Sequence, residues 1–356
     1  MRGEQKRMKN SELTYKEIYG QPDSFQAVND TLEDIYKVLD QVFAETWDEL
    51  IFTGCGTSLY LAQAAAHAFG TCNKIPAKGM CCSELYYFPE TYVGNGKKVL
   101  VLPITRKSYT TEVRMAIDKV RTFPGVKSLA ITCDPDSAKY NDYMILSPET
   151  AEDSVIMTRS FTSMIYLAVI LAFYAGGQKE KIEAMKNYKA ESAEFLKASD
   201  EIAAKIVKEH PELDLFITLG QGVNYGIANE CMNKMKEMSL SNSEAYYTLE
   251  YRHGPMSLVD EKTMVILLGN EATVEGDAKL LTQMKEYGAT ILAIGNHASA
   301  DFSDADYTLD MPYGYDSLQN AAMIGFIGQT MGYYIAEKKN LNADTPRHLS
   351  QAIVIK

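Results

Sequence analysis

The sequence contains an internal repeat at an offset close to 166 residues, and this repeat restricts the fold more than any other feature. DELIFTGCGTSLYLAQ at 48–63 and DLFITLGQGVNYGIAN at 214–229 both read as an apolar strand, a Gly-x-Gly turn and the start of a helix. Three further apolar segments recur in the same order: VLVLPIT (99–105) with VILLGNE (265–271), SLAITCD (128–134) with TILAIGN (290–296), and DYMILSP (142–148) with DYTLDMP (306–312). Four ordered matches predict two copies of one structural unit.

The repeated unit alternates short, continuous apolar strands with helical stretches. This alternation is typical of a parallel sheet that is covered by helices on both faces. The 356 residues, of which 46% are apolar and 23% charged, are enough for two such cores. The sequence therefore predicts an α/β protein with two tandem doubly wound parallel-sheet domains.

The ends of the two copies suggest where the domains begin and end. A charged stretch at 179–210 has a helical pattern and joins the copies, and residues 23–43 read as one amphipathic helix. The predicted division is an N-terminal helical segment at 1–44, a first domain at 45–195, a second domain at 205–342 and a C-terminal tail at 343–356.

Charge and apolar segments argue against several classes of protein. With 35 Lys and Arg against 47 Asp and Glu, the net charge of −12 argues against binding to nucleic acid or to an anionic membrane surface. The longest apolar run, Met164–Ala175, is too short to span a bilayer and predicts a buried helix. The basic N-terminus has no apolar segment behind it, so no secretory signal is expected.

Cysteine, histidine and glycine spacings predict neither a metal nor an organic cofactor. The six cysteines include no C-x-x-C pair and suggest reduced thiols in a cytoplasmic protein, and the five histidines form no ligand pattern. GCGTSL at 54–59 lacks the third glycine of the dinucleotide fingerprint. GQGVNYG at 220–226 comes closer, but no acidic residue ends the following strand, where a ribose would need one.

Two loops combine features that suit a phosphate monoester. Gly56, Thr57 and Ser58 follow the first strand, where glycine allows close backbone approach and the hydroxyls add donors. The second loop precedes a helix that is expected to begin near Glu112, and hydroxyls, cations and a helix N-terminus attract phosphate. This loop contains Thr105, Arg106, Lys107, Ser108 and Thr110. Taken alone it also fits a solvated turn that caps a helix, but opposite the first loop the phosphate interpretation is preferred.

Glu237 and His253 are the candidate acid/base residues. Glu237 stands near the end of the helix after the second Gly-x-Gly turn, among methionines, and partial burial there would raise its pKa toward a useful value. His253 precedes Gly254-Pro255, a turn that is expected to open a helix and fix the ring. A lone histidine is more often structural, but a Glu–His pair without a nucleophile or metal suits proton transfer next to a carbonyl.

Ten short motifs, spread over both copies, resemble those of the sugar isomerase (SIS) family and follow the family's order. They are KEIYGQP (16–22), GCGTS (54–58), CSEL (82–85), TRKSYTTE (105–112), EDSVIMTRSFTS (152–163), LGQG (219–222), KEMS (236–239), SEAY (243–246), RHGP (252–255) and DTPRHL (344–349). The chain is most similar to the isomerase half of glucosamine-6-phosphate synthase and to the fructosamine-6-phosphate deglycases. The resemblance implies two SIS domains of flavodoxin-like fold and a small-molecule sugar phosphate as substrate.

The resemblance also implies roles for individual residues. The positions that match the family's substrate site are Gly56, Thr57, Ser58, Thr105, Arg106, Lys107, Ser108, Thr110, Val155, Ser350 and Gln351. Glu237 matches the carboxylate that moves a proton between C1 and C2. His253 matches the histidine of ring opening, which reaches the site from the neighbouring subunit, so a homodimer is expected.

The chain departs from the family at two places. In the phosphate loop, Lys107 and Ser108 stand where the pattern Ser-x-Ser-Gly-x-Thr has its second serine and its glycine. Without that glycine the backbone either avoids positive φ or is strained, and the lysine replaces a hydroxyl donor with a full charge. In the tail, Gln351 stands where the synthase has the lysine that forms a Schiff base, and glutamine cannot form an imine.

These observations predict a fructosamine (fructosyl-amino acid) 6-phosphate deglycase. Its substrate carries an amine on C1, so ring opening, C1 deprotonation, C2 protonation and aldimine hydrolysis give glucose 6-phosphate and an amine without a protein imine. Residues 1–44 are too few for a glutaminase domain, so glucosamine synthesis is not expected. The alternatives are an aldose–ketose isomerase or amino-sugar-phosphate deaminase of the same family, and a non-catalytic sugar-phosphate-binding regulator.

Overall fold

The computed structural model describes residues 11–94, 96–312 and 314–355 and contains two five-stranded sheets. The first sheet consists of β1 (Glu49–Gly54), β2 (Ala77–Cys81), β3 (Val99–Thr105), β4 (Val126–Thr132) and β5 (Tyr143–Leu146). The second consists of β6 (Leu215–Gly220), β7 (Asn242–Tyr246), β8 (Thr263–Leu268), β9 (Thr290–Gly295) and β10 (Tyr307–Asp310). The strand pairings are parallel, in the orders β2-β1-β3-β4-β5 and β7-β6-β8-β9-β10. The predicted fold class is confirmed.

Five of the six interior strands are buried along their whole length, as their apolar sequences predict, and β4 is buried except at its first two residues. In both sheets the strand order reverses beside the first strand of the copy, between β1 and β3 and between β6 and β8. Ligands of open α/β sheets bind at the carboxyl ends of the strands at such a point. The predicted domain ranges, 45–195 and 205–342, each enclose one sheet, and their exact boundaries stay a prediction.

Fifteen α-helices accompany the sheets in the described part of the chain. They are α1 (Glu12–Tyr19), α2 (Gln21–Asn29), α3 (Leu32–Phe43), α4 (Thr57–Cys72), α5 (Cys82–Tyr87), α6 (Pro89–Val93), α7 (Thr111–Val120), α8 (Arg159–Ala175), α9 (Lys179–Ala184), α10 (Tyr188–Glu209), α11 (Val223–Ser239), α12 (Val274–Glu286), α13 (Ala298–Asp301), α14 (Ser317–Ile324) and α15 (Phe326–Lys338). None of the described helices is both long enough and apolar enough to cross a bilayer.

Three helix predictions can be compared with these bounds. The apolar run 164–175 lies in the buried helix α8, as predicted, and the charged stretch 179–210 is largely helical in α9 and α10. The single helix predicted at 23–43 is wrong, because α2 ends and α3 begins within it. Thr31 lies at the break, and its hydroxyl donates to the Val28 carbonyl at 2.9 Å, a local hydrogen bond that competes with a continuous helix.

The two domains share one hydrophobic core, in which α4 and α11 lie against each other. Gly226 on α11 permits this close approach, because a Cβ at this position would lie 2.5 Å from the Tyr60 carbonyl oxygen and 2.7 Å from Ala64 N on α4. Both helices start from the Gly-x-Gly turns of the repeat. Their contact therefore brings the N-terminus of α4 beside polar side chains in the middle of α11.

Candidate functional site

A cavity of about 190 Å³ lies at the carboxyl ends of β1 and β3, where the strand order of the first sheet reverses. The loops after these two strands, residues 155–157 and the tail at 349–353 surround it. The sequence-predicted residues that line it are Gly56, Thr57, Ser58, Thr105, Arg106, Lys107, Thr110, Val155, Glu237, Ser350 and Gln351. Thus the cavity brings together candidates from both domains and from the tail.

The loop after β1 brings backbone and hydroxyl donors to the cavity. Gly54 has no room for a side chain, because a Cβ there would lie 2.5 Å from the Ser58 carbonyl oxygen. Gly56 has a φ of 56°, a conformation that favours glycine. This backbone path places Thr57 and Ser58, the first residues of α4, at the cavity wall. The partial positive charge at the N-terminus of α4 therefore lies where it can attract an anion.

The loop after β3 adds two hydroxyls and a lysine. The Thr105 hydroxyl donates to the Lys107 carbonyl at 2.7 Å, and the Thr110 hydroxyl donates to the same carbonyl at 3.3 Å, so the loop is folded tightly. The helix after it begins at Thr111, one residue from the expected start. The Lys107 side chain lines the cavity, and no ion pair in the described part of the chain includes it. Its charge is therefore available to an anionic ligand.

Ser108 does not line the cavity, in contrast to its expected role in substrate binding. Its backbone N–H and its hydroxyl both donate to Asp134 Oδ2, at 2.9 and 2.8 Å. Burial opposes ionisation of Asp134, but these hydrogen bonds keep the pKa of its carboxyl below the usual value. Ser108 is not among the residues with positive φ, so it replaces the family's glycine without backbone strain. Ser108 anchors the loop after β3 to the segment after β4.

Arg106 lines the cavity, but its guanidinium is bound to protein groups. Nη1 lies 3.2 Å from Glu152 Oε2 and 3.4 Å from the Ser154 carbonyl oxygen. Nη2 donates to the Val155 carbonyl at 2.9 Å and to the Gln351 carbonyl at 3.0 Å. Arg106 and Glu152 are both buried. The guanidinium therefore connects three segments of the chain, whereas the sequence predicted a direct phosphate ligand.

Glu237 reaches the cavity from the last turn of α11, where it is paired with a buried lysine. Lys234 Nζ lies 2.5 Å from Glu237 Oε2 and 3.2 Å from Glu230 Oε1. Lys234 and Glu230 are fully buried, whereas the Glu237 side chain is 23% exposed. An ammonium group, rather than the expected methionines, is thus the immediate neighbour of the candidate acid/base carboxylate, and it fixes that carboxylate at the cavity wall.

Glu230 and Lys234 extend the charges of the site into the core. Burial and the nearby Glu237 charge raise the pKa of Glu230 to about 8, although Lys234 opposes the shift. Burial disfavours the charged form of Lys234, but the two carboxylates beside it raise its pKa above the usual value. The Thr57 hydroxyl lies 3.3 Å from both Glu230 Oε1 and Lys234 Nζ. One polar network therefore connects the proposed phosphate loop to the acid/base candidate.

Sequence reasoning missed Glu230, Lys234 and Glu152. The signal for the first two is their spacing, because residues 230, 234 and 237 are separated by four and three positions and share one face of a helix. Glu152 accepts hydrogen bonds from the Thr158 and Ser160 N–H groups at the start of α8, both at 2.7 Å. Glu152 opens the motif EDSVIMTRSFTS, but nothing in that motif shows that its carboxylate is buried.

His253 lies outside the cavity of its own chain. It is exposed, and it follows a short 3-10 turn at Glu250–Arg252, so the expected helix is reduced to single turns on either side of it. Three apolar side chains of the same segment are 45–56% exposed: Tyr247, Leu249 and Leu258. The segment around His253 therefore presents an exposed apolar surface.

Two parallel-sheet domains whose cavity combines hydroxyls, a lysine and a glutamate define a tandem α/β protein of the sugar-isomerase type. A family model for the SIS domain matches residues 45–193 and 215–336, which is most of the chain. The chain therefore belongs to the SIS domain family, and the resemblance seen in the sequence is confirmed.

Similar proteins cover nearly the whole chain. Glutamine–fructose-6-phosphate aminotransferase (isomerizing) of Clostridium acetobutylicum is 26% identical over 96% of this chain. The matched region is 58% of the length of that relative. The structure of glucosamine-6-phosphate deaminase from Thermotoga maritima is 28% identical, with a TM-score of 0.79 over 96% of this chain and 99% of that one. Tagatose-6-phosphate ketose/aldose isomerase from Escherichia coli is 21% identical and has the same fold, with a TM-score of 0.83 over 97% and 96%.

Proposed function

We propose that this chain is a phosphosugar enzyme that moves a proton between C1 and C2 and releases an amine from the sugar. The observation that carries the proposal is the position of Glu237, whose carboxylate lines the same cavity as Lys107 and Thr57. One cavity thus combines groups that attract a phosphate with an ionisable group that can carry a proton. A protein that only senses a sugar phosphate would need the groups that attract the phosphate, but not the group that carries a proton.

The phosphate is held by the loops after β1 and β3. Thr57 and Ser58 supply hydroxyls at the N-terminus of α4, where backbone N–H groups and the helix dipole favour an anion. Lys107 supplies a full positive charge in place of the family's serine, so it takes the larger share of the electrostatic attraction. The lining residues that complete the site and face the phosphate or the sugar are Gly56, Thr105, Thr110, Val155, Ser350 and Gln351.

Proton transfer is assigned to Glu237 and ring opening to His253. Lys234 holds the Glu237 carboxylate at the cavity wall, where the carboxylate can exchange a proton with the sugar carbons. His253 cannot act in the cavity of its own chain, so a neighbouring copy supplies it and the active form is a homodimer. The exposed apolar side chains around His253 support a contact of that kind.

The departure at Gln351 favours amine release over synthesis of an amino sugar. The Gln351 side-chain amide donates to the Asp153 carbonyl at 2.6 Å and to the Ser154 carbonyl at 3.0 Å, and it offers no nucleophilic amine. Release of the amine from a fructosamine 6-phosphate needs no nucleophilic amine from the protein. Loss of the C1 proton gives an enaminol, protonation at C2 gives an aldimine, and water then yields glucose 6-phosphate and the amine.

A second candidate, amino-sugar-phosphate deaminase, is favoured by one specific observation. The Thermotoga maritima glucosamine-6-phosphate deaminase matches this chain at 28% identity over nearly the full length of both. In that reaction the proton moves in the opposite direction, from C2 to C1, and the resulting C2 imine is hydrolysed to a ketose phosphate and ammonia. An aldose–ketose isomerase needs the same proton transfer without an amine. Fructose 6-phosphate must therefore be among the substrates tested.

The purified chain is incubated separately with 6-phosphofructosyl amino acids, glucosamine 6-phosphate and fructose 6-phosphate. Release of glucose 6-phosphate from the conjugates alone supports the deglycase, whereas fructose 6-phosphate and ammonia from glucosamine 6-phosphate support the deaminase. Interconversion of fructose 6-phosphate and glucose 6-phosphate alone indicates the isomerase. Tight sugar-phosphate binding without turnover of any compound would overturn the enzymatic proposal in favour of a regulator.

The role of Glu237 is tested by Glu237→Gln, with the exposed Glu286→Gln as the matched control. Glu237→Gln should abolish turnover and leave inorganic phosphate binding intact, because the amide keeps the shape of the side chain but cannot accept a proton. An active Glu237→Gln enzyme contradicts the proton-transfer role.

A further inference from the structure

The C-terminal tail lies against the cavity and is fastened near its middle to the segment 152–155. The Arg106 guanidinium donates to the Gln351 carbonyl at 3.0 Å. The Gln351 side-chain amide donates to the carbonyls of Asp153 and Ser154 in the same segment. Gln351 is therefore held through both its backbone and its side chain.

The end of the tail is fastened a second time, to the start of α7. The Thr111 N–H donates to the Ile353 carbonyl, and the Thr111 hydroxyl accepts from the Ile355 N–H, both at 3.1 Å. The apolar side chains of Ile353 and Ile355 are half exposed and add little burial. Hydrogen bonds, rather than a hydrophobic anchor, thus keep the tail across the cavity, and such contacts open at a modest free-energy cost.

The Arg106 guanidinium contacts the tail and the segment 152–155 rather than the open cavity. Its charge is compensated by the buried Glu152 carboxylate, and its Nη atoms make three further contacts with backbone carbonyls of the segment 152–155 and the tail. Arg106 is 4% exposed, and turning its guanidinium to a phosphate would leave the buried Glu152 carboxylate without its cationic partner. Lys107, the next residue, forms no ion pair in the described part of the chain.

We propose that Arg106 and Gln351 form a clasp, together with Glu152 and the carbonyls of residues 153–155, which holds the tail closed over the bound sugar phosphate. Arg106 is then a positioning residue that acts on the reaction through the tail, and it is not a phosphate ligand. The proposal rests on the proposed phosphate site. Gln351, which stands where the synthase has its Schiff-base lysine, thus holds the tail in place.

The clasp is tested by Gln351→Glu, with Gln351→Lys as the variant that keeps a donor. The Gln351→Glu carboxylate cannot donate to the Asp153 and Ser154 carbonyls and is repelled by them, whereas an ammonium can still donate. Hydrogen exchange of the tail amides at 349–355 should rise about tenfold in Gln351→Glu, a shift of ~1.4 kcal/mol, and should stay near the original rate in Gln351→Lys. Gln351 lies at the surface, so both variants are expected to fold.

Arg106→Lys tests the second half of the proposal, and Arg159→Lys is its matched control. Arg159 also donates to a carbonyl of this region, that of Ala151, but does not touch the tail. We expect faster tail exchange in Arg106→Lys only, with a raised KM for the sugar phosphate and an unchanged Kd for inorganic phosphate. Neither exchange nor phosphate titration needs turnover, so they report on the clasp even if no substrate in the panel reacts.

Two results would overturn the clasp. One is tail exchange in Gln351→Glu that equals the original rate. The other is a tenfold weaker Kd for inorganic phosphate in Arg106→Lys with unchanged tail exchange, because that combination makes Arg106 a direct phosphate ligand. If Arg106→Lys does not fold, the Gln351 pair alone decides the outcome.

Discussion

Lys234 Nζ lies 3.3 Å from the Thr57 hydroxyl, so a buried lysine of the second domain contacts the first residue of the helix that faces the cavity in the first domain. The same ammonium pairs with Glu237 at 2.5 Å. One side chain therefore sets the distance between the proposed phosphate loop and the proposed proton carrier. Any change that moves α4 relative to α11 should disturb both functions together.

Lys234→Met should lower kcat by roughly 10²–10³-fold and the free energy of unfolding by about 3 kcal/mol. The reason is that Glu237 loses its counter-charge and the buried Glu230 carboxyl loses a polar partner. Steady-state kinetics on the accepted substrate and denaturant unfolding measure the two effects. Lys236→Met, on the same helix and exposed, should change neither quantity, and an equal loss in both variants would contradict the role given to Lys234.

The buried Glu230 carboxyl predicts a pH-dependent stability. Its pKa is 4.5 without the fold and about 8 in the folded chain, mainly because of burial. Between these values the folded state holds a proton that the unfolded state has released, so this group makes stability fall as pH rises from 4.5 to 8. Glu230→Gln removes the titration. Thermal unfolding across this pH range should show a smaller decline for Glu230→Gln than for the original chain, and parallel curves would exclude the assignment.

The contact between α4 and α11 can be tested with two glycines that differ in their surroundings. Gly226→Ala should destabilise the chain by ~1–3 kcal/mol, because its Cβ would overlap backbone atoms of α4. Gly70→Ala, on α4 with no atom within 4 Å of the added carbon, should stabilise it by up to ~1 kcal/mol. Gly226→Ala should also lower kcat, since the Thr57–Lys234 contact is displaced. Equal stability of the two variants would argue against the close approach.

Features that depend on local sequence could be predicted, and those that depend on distant partners could not. Both sheets and the cavity follow from apolar strands that end in Gly-x-Gly turns, because the carboxyl ends of parallel strands meet at one edge. The orientation of Arg106 and Ser108 depends on Glu152 and Asp134, which lie 46 and 26 residues further along the chain, and local sequence does not reveal these pairings. Likewise, the spacing of residues 230, 234 and 237 indicates a shared face of α11, but the burial of Lys234 depends on the contact with α4.

The repeat also explains why only one copy has the proposed site. At the offset of 166 residues, Thr57 and Ser58 correspond to Val223 and Asn224, and Thr105 corresponds to Glu271. The second copy therefore lacks these hydroxyls and has a carboxylate at the position that corresponds to Thr105. Instead it contributes α11 with Glu237 and the segment with His253. The sequence allowed this division to be predicted, because the differing residues fall within the repeated motifs.

Lys107 is expected to dominate phosphate affinity. Lys107→Ala should raise the Kd of the sugar phosphate by roughly 10–100-fold, as expected for loss of one hydrogen bond to a charged group, with a smaller effect on kcat. Calorimetric titration with inorganic phosphate and with a sugar phosphate measures the change, and its salt dependence should weaken in the variant. Lys119→Ala, an exposed lysine on the following helix, is the control. If both variants bind equally well, the hydroxyls alone hold the phosphate.

The supply of His253 by a neighbouring copy makes a prediction about mixtures of inactive variants. Glu237→Gln and His253→Ala should each be nearly inactive as pure proteins, because each homodimer has two damaged sites. After unfolding and refolding of an equal mixture, half of the dimers combine one chain of each kind, and one of their two sites receives an intact Glu237 and an intact His253. Activity should therefore return to about a quarter of the original value.

The same mixture distinguishes the shared site from a site within one chain. If His253 served the cavity of its own chain, every site in the mixture would lack one group and no activity would return. Size-exclusion chromatography with light scattering checks that the samples are dimeric, and a mixture of Glu237→Gln with itself sets the background. The outcome depends only on which chain supplies the histidine, because both variants keep Lys107, Thr57 and the rest of the proposed phosphate site.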